Sequence, residues 1–107
     1  MDSDLIIAEL QKNFQKTDDR LLRMFNALGD QTRFRIFYSL CAGNDICVTE
    51  LARIMTISVP AASQQLKLLE LVGLVNRQRN GQKICYEINY DDVVVKDVIA
   101  LINKHTV

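Results

Sequence analysis

The stretch "TELARIMTISVPAASQQLKLLELVGLV", Thr49 to Val75, holds two helical apolar patterns separated by only a few residues. Leu51, Ile54 and Met55 recur at helical spacing in the first, and Leu66, Leu69 and Leu71 in the second. Thr56 and Ile57 fill the break. Ser58 is placed to cap the second helix by accepting a free backbone N–H. Pro60 falls in that helix's first turn, where a missing N–H costs nothing, and Gly73 closes it. "LVNRQR" and "KICYEIN" then read as two short strands joined by Asn80-Gly81, a dipeptide that tolerates positive φ and so favours a hairpin.

Helix, tight turn, helix and hairpin in that order is the layout of a winged helix-turn-helix. The chain of 107 residues suits one domain, 1–107, around one core. A first helix is expected from about Leu5 to Phe14, within 3–16. A second starts at Asp18 or Asp19, runs through Leu21, Leu22, Phe25 and Leu28, and stops at Gly29. Asp30 is an expected N-cap for "QTRFRIFYSL", with Phe34, Phe37, Tyr38 and Leu40 as its core face. Ala42 to Asp45 breaks that pattern, and a last helix occupies 91–104. The expected fold is mainly α with a β-hairpin wing, the helix-turn-helix over 48–72 and the wing over 74–89.

The second helix of such a unit enters a major groove, so its outer face needs small residues for close approach and short polar groups for hydrogen bonds. "SVPAASQQLK" supplies both. Ser58, Val59, Pro60, Ala62, Ser63, Gln64 and Lys67 are the expected DNA-facing positions. Ala61, Leu66, Leu69, Val72 and, in part, Gln65 face inward. A merely solvated face would carry several Glu and Lys. No acid occurs here before Glu70. At the hairpin, Arg77, Arg79 and Lys83 flank the tip and can reach an adjacent backbone or minor groove. Protection of exposed strand edges is the blander account of the same charges.

Formal net charge is zero, but its distribution is uneven. Five Lys and Arg face one acid, Glu70, between Arg53 and Lys83, while the remaining chain carries eight against twelve. That asymmetry can steer a polyanion to one face. Apolar runs are too short to span a bilayer, and the acidic start "MDSDLIIAEL" lacks a signal peptide's basic region, so a cytoplasmic location and no membrane contact are expected. No nucleophile–base set, paired-carboxylate motif or phosphate-cradling loop is recognisable, and His105 is the single histidine, which argues against an enzyme. A protein-interaction module on the same fold is the alternative. It would call for an apolar or acidic face on the second helix.

The terminal helices are apolar around more of their circumference than one core contact requires. Leu5, Ile6, Leu10 and Phe14 in the first, and Val94, Val98, Leu101 and Ile102 in the last, are the expected interface of a C2 homodimer.

The segments "ALGDQTRFRIFYSL" and "ICVTELARIMTISVPAASQQLKLLELVGLVNRQRNGQKICYEIN" resemble the ArsR/SmtB family of winged-helix repressors over about Leu21 to Ile102. Two departures stand out: Gln31 replaces the family's favoured Pro, and Gln64 stands where a His usually follows the second Ser. The resemblance implies a homodimer on a two-fold symmetric operator of double-stranded DNA, released when an inducer binds. The family's metal sites are incomplete here. Cys47 is present but Thr49 replaces its partner cysteine, and the last-helix site would fall on Tyr90, Asp92 and Asn103. No metal or cofactor is expected, and the effector is unassigned. Thiol redox sensing stands ahead of metal sensing, with Cys41 and Cys47, six residues apart, as the candidate thiols; Cys85 is expected to face inward as a small hydrophobe.

Overall fold

The computed structural model describes residues 2–16, 19–43 and 45–106. Six helices and three strands follow in order among them: α1 (Ser3–Phe14), α2 (Asp19–Leu28), α3 (Gln31–Gly43), β1 (Ile46–Cys47), α4 (Val48–Met55), α5 (Val59–Leu71), β2 (Val75–Asn80), β3 (Lys83–Ile88) and α6 (Val93–Lys104). Asp18, one of the two expected starts of the second helix, lies outside the described residues, as does Asn44 in the expected break. The strands form one antiparallel sheet in the order β1-β3-β2. β1 is an addition to the expected hairpin. Its two residues pair Ile46 with Tyr86 and Cys47 with Cys85 on the free edge of β3.

The core gathers Met24 from α2, Ile36, Phe37 and Leu40 from α3, Leu51 from α4, Leu66 and Leu69 from α5, and Val75, Tyr86 and Ile88 from the sheet. The face of α3 is rotated from the expected one. Ile36 is fully buried, whereas Phe34 and Tyr38 are exposed. Asp30 does cap α3, accepting the Arg33 N–H at 3.0 Å.

The turn between α4 and α5 is made by Thr56, whose φ of 57° is left-handed. Its N–H returns to carbonyls of Ala52 and Arg53, which ends α4 within one residue. A β-branched residue is strained in that region, so packing of the two helices holds the turn against a cost of order 1–2 kcal/mol. Ser58 then caps α5, its Oγ accepting the Ala61 N–H at 3.2 Å. The wing closes one residue later than Asn80-Gly81 suggests: Asn80 pairs with Lys83 as the last rung, and Gly81-Gln82 is the loop. Gly81 has φ 64° and Gln82 a negative φ, the pattern of a II′ turn with Gly at its first central position.

α6 starts at Val93 with Asp92 as N-cap, its carboxylate accepting the Val94 and Val95 N–H groups at 2.9 and 3.3 Å. The same carboxylate binds the Arg20 guanidinium of α2 at 2.7 and 2.9 Å, tying the last helix to the second. Desolvation pushes this carboxyl up. The hydrogen bonds from Val95 and Val94 and the Arg20 charge outweigh it and hold the carboxyl below its ordinary 3.8. A depressed folded value stabilises the protein fully above the ordinary value and loses that contribution as pH falls through the folded one. Asn can keep the cap but not the charge. Asp92→Asn is therefore expected to lower the melting temperature at neutral pH, with the two thermal-melt curves converging as pH falls below the ordinary carboxylate range.

Candidate nucleic-acid interface

α5 divides cleanly into two faces. Ala62, Leu66 and Leu69, at i, i+4 and i+7, have no exposed surface. Val59, Pro60, Gln64 and Lys67 are exposed and Ser63 half-buried, at a spacing that makes one outward stripe. Ala62, expected to face DNA, is thus corrected to the core. Ala61, expected inward, is half-buried. The reason is steric: α5 packs against α3 and α4 through this stripe, and a methyl lets the helices approach closely. Ser58 is exposed but serves first as the N-cap.

A side chain from α3 helps set the pose of α5. Arg33 donates from Nε to the Ala27 carbonyl at 2.8 Å and from Nη1 to Gln65 Oε1 at 3.1 Å. It therefore bridges the end of α2 and the middle of the recognition helix. Gln65 is spent on this contact, which leaves Gln64 as the outward amide.

Alternation along the hairpin places Arg77, Arg79 and Ile84 on one side of the wing. Lys83 is on the other side, yet both Lys83 and Ile84 line one cleft of about 270 Å³, with Val59 and Ser63 of α5, Val48 and Thr49 of α4, Gln82 and Cys47. The start of the recognition helix and the wing tip are thus two walls of one cleft. Thr49 and Gln82 were missed by sequence reasoning. Their only sequence signal is their position, in the first turn of α4 and beside Gly81. Among the described residues, Lys67, Arg77, Arg79 and Lys83 have no ion-pair or hydrogen-bonding partner within the chain.

The two candidate thiols, Cys41 and Cys47, are not brought together. Cys47 is bonded to Cys85, with 2.06 Å between the sulfurs, and Cys41 is free and half-buried in α3. Cys41 and Cys47 therefore form no pair, because the β1–β3 register carries Cys47 to Cys85 instead. Burial pushes the Cys41 thiol up to about 11. No group of three or more His, Cys, Asp or Glu among the described residues is placed to hold a metal ion. Cys47 is committed to Cys85 and Asp92 to Arg20.

Of the expected dimer residues, Leu5, Ile6, Leu10, Phe14 and Leu101 are exposed and Val94 half-buried. Val98 and Ile102 are only 7% and 8% exposed and belong to the protomer's own core. They are removed from the candidate interface, because the inner face of α6 packs inside its own chain.

An acid-free helix face, with an outward amide and lysine beside a basic hairpin on this fold, defines a winged helix-turn-helix DNA-binding transcriptional regulator. A family model described as "Bacterial regulatory protein, arsR family" matches residues 30–77. The arsenical resistance operon repressor of Bacillus subtilis is 33% identical over 82 residues, covering 73% of this chain and 78% of that protein. A cadmium resistance regulatory protein CadC homolog from Staphylococcus aureus is 34% identical over 77 residues, covering 72% of this chain and 62% of its own length. Among solved structures, the homodimeric winged helix-turn-helix domain Mb0332 from Mycobacterium bovis superposes with a TM-score of 0.70 at 27% identity, over 96% of this chain and 85% of that one. The chain belongs to the arsR family. No helix among the described residues is long and apolar enough to cross a membrane.

The two faces of α5 predict opposite responses to substitution. Ala62→Leu overfills the core and is expected to cost about 1–3 kcal/mol in urea unfolding. Gln64→Ala is expected to stay within about 0.5 kcal/mol of wild type.

Proposed function

We propose that the protein is a homodimeric repressor that grips a two-fold symmetric operator with the outward face of α5 and the wing, and lets go when a signal reaches it. The observation that carries this reading is the shared cleft: Ser63 and Val59 of the recognition helix and Lys83 of the wing line the same recess. A duplex seated on α5 would meet all three. Gln64 is the base reader, since its amide can pair bidentately with adenine. Val59 packs on a thymine methyl, and Ser58, Pro60 and Ser63 allow close approach. Lys67, Arg77, Arg79 and Lys83 neutralise phosphates.

Dimerisation supplies the two-fold symmetry. α1 buries none of its residues, leaving Leu5 70% and Phe14 74% exposed. A twelve-residue helix with an apolar stripe has little stability alone in water. A second copy covering α1 and the outer side of α6 with Leu101 and Val94 accounts for both exposed surfaces. The homodimeric state of the M. bovis neighbour supports a two-chain assembly. The alternative of a protein-interaction module draws on the exposed Val59, Leu68 and Leu71 of α5; the outward Gln64 and Lys67, with no acid before Glu70, favour DNA.

Fluorescence anisotropy against duplexes from the chain's own upstream region tests the reading. Wild type should bind with two chains per operator. Gln64→Ala should lose about 1–3 kcal/mol of preference for operator over scrambled DNA. Arg79→Ala should weaken binding to every sequence and shallow the salt dependence by about one ion's worth. An unchanged preference in Gln64→Ala would remove the base-reading role.

A further inference from the structure

Cys47 and Cys85 stand opposite each other in the β1–β3 register, 38 residues apart in sequence. Their bond closes a covalent ring that contains all of α4, α5 and β2. It sits where two parts of the DNA-facing surface join. Cys47 is the N-cap residue of α4, with its N–H held by the Glu50 carboxylate at 3.1 Å. Cys85 lies two residues along the wing strand from Lys83.

The two sulfurs have different surroundings. Cys85 is 1% exposed, and the wing-tip amide of Asn80 donates to its Sγ at 3.7 Å. Cys47 lines the cleft between recognition helix and wing, together with Lys83. An anion entering that cleft meets the Lys83 ammonium, while the amino end of α4 is already taken by the Glu50 carboxylate.

We infer that Cys47–Cys85 is a reversible thiol–disulfide exchange site for low-molecular-weight thiols entering through the cleft, and that the closed bond holds the wing in its DNA-binding pose. The second half rests on the DNA-contact reading above. In the first step a small thiol, as its thiolate, attacks Cys47 Sγ. A mixed disulfide forms on Cys47 as the bond to Cys85 breaks, and the electron pair leaves on Cys85 Sγ, where Asn80 already donates. A second small thiol attacks the sulfur of the bound one and departs with it as a small disulfide. The two protons of the incoming thiols end on Cys47 and Cys85. The protein disulfide is reduced and the two small thiols are oxidised. A small disulfide runs the sequence backwards. Cys41 takes no part, since a thiol held up near 11 stays protonated at neutral pH.

With the bond open, β1 holds β3 through only a two-residue ladder, and the wing loses its covalent tie to α4. A pose that was set beforehand then has to be ordered on binding, which weakens affinity.

The test uses the full chain in reduced or oxidised glutathione. Alkylation after denaturation counts the thiols by mass, and anisotropy on the operator reads binding in the same samples. The closed form should take one label, at Cys41, and the opened form three. Opening should weaken operator binding by about tenfold or more. Cys47→Ser should bind weakly in both conditions, and Cys41→Ser should follow wild type. A label count that stays at one in millimolar reduced glutathione, or equal affinity of the one-label and three-label forms, would overturn the inference. If neither form binds DNA, the operator reading fails on its own, and hydrogen exchange decides the tie: faster exchange of β3 amides on opening upholds it, and equal exchange overturns it.

Discussion

The inner stripe of α5, Ala62, Leu66 and Leu69, is buried without residue, and the rest of the structure is arranged around keeping it so. Once that stripe is fixed on α3 and α4, the opposite stripe of Val59, Pro60, Ser63, Gln64 and Lys67 has a single direction in which to point. Arg33 adds a polar lock from the side, joining the Ala27 carbonyl to Gln65. The strained Thr56 turn keeps α4 close behind. A recognition surface needs this rigidity, because each rotamer or helix tilt left free would have to be ordered at the moment of binding.

The wing depends on the same packing. Val75, Tyr86 and Ile88 bury its base in the core, while its tip projects with Arg77, Arg79 and Lys83 unpaired among the described residues. The β1 pairing and the Cys47–Cys85 bond anchor the other edge of the hairpin to the start of α4. Both DNA-facing elements are therefore referred to one helix-turn-helix frame. The outlying helices do different work. Asp92 and Arg20 fasten α6 to α2, whereas α1 stands with its apolar residues uncovered, and the molecule extends to 62 Å in its long dimension.

Much of this was legible in the residues. Ser58 and Pro60 mark the start of α5, Gly73 its end, and Asn80-Gly81 marks the hairpin to within one position, because caps and positive φ leave strong local signatures. The misreadings have a common cause: they concern choices made by tertiary packing among chemically similar neighbours. Ala61 and Ala62 carry the same methyl, so only the contact with α3 and α4 decides which turns in. Phe34 is as apolar as Ile36, and Tyr38 carries a large apolar ring, yet the core takes the isoleucine. Val98 and Ile102 fit a dimer seam as well as a core. Two residues of β1 are too few to show alternation, and with β1 unseen the partner of Cys47 could not be assigned.

If the outward stripe of α5 and the wing tip together form the DNA-facing surface, DNA should perturb those two segments above all others. Backbone amide shifts recorded with a duplex from the chain's own upstream region, and again with a scrambled duplex, test it most directly. The upstream duplex should move amides chiefly within 58–67 and 77–84, and the scrambled one should move them far less. Shifts confined to α1 and α6, or identical shifts with both duplexes, would contradict it.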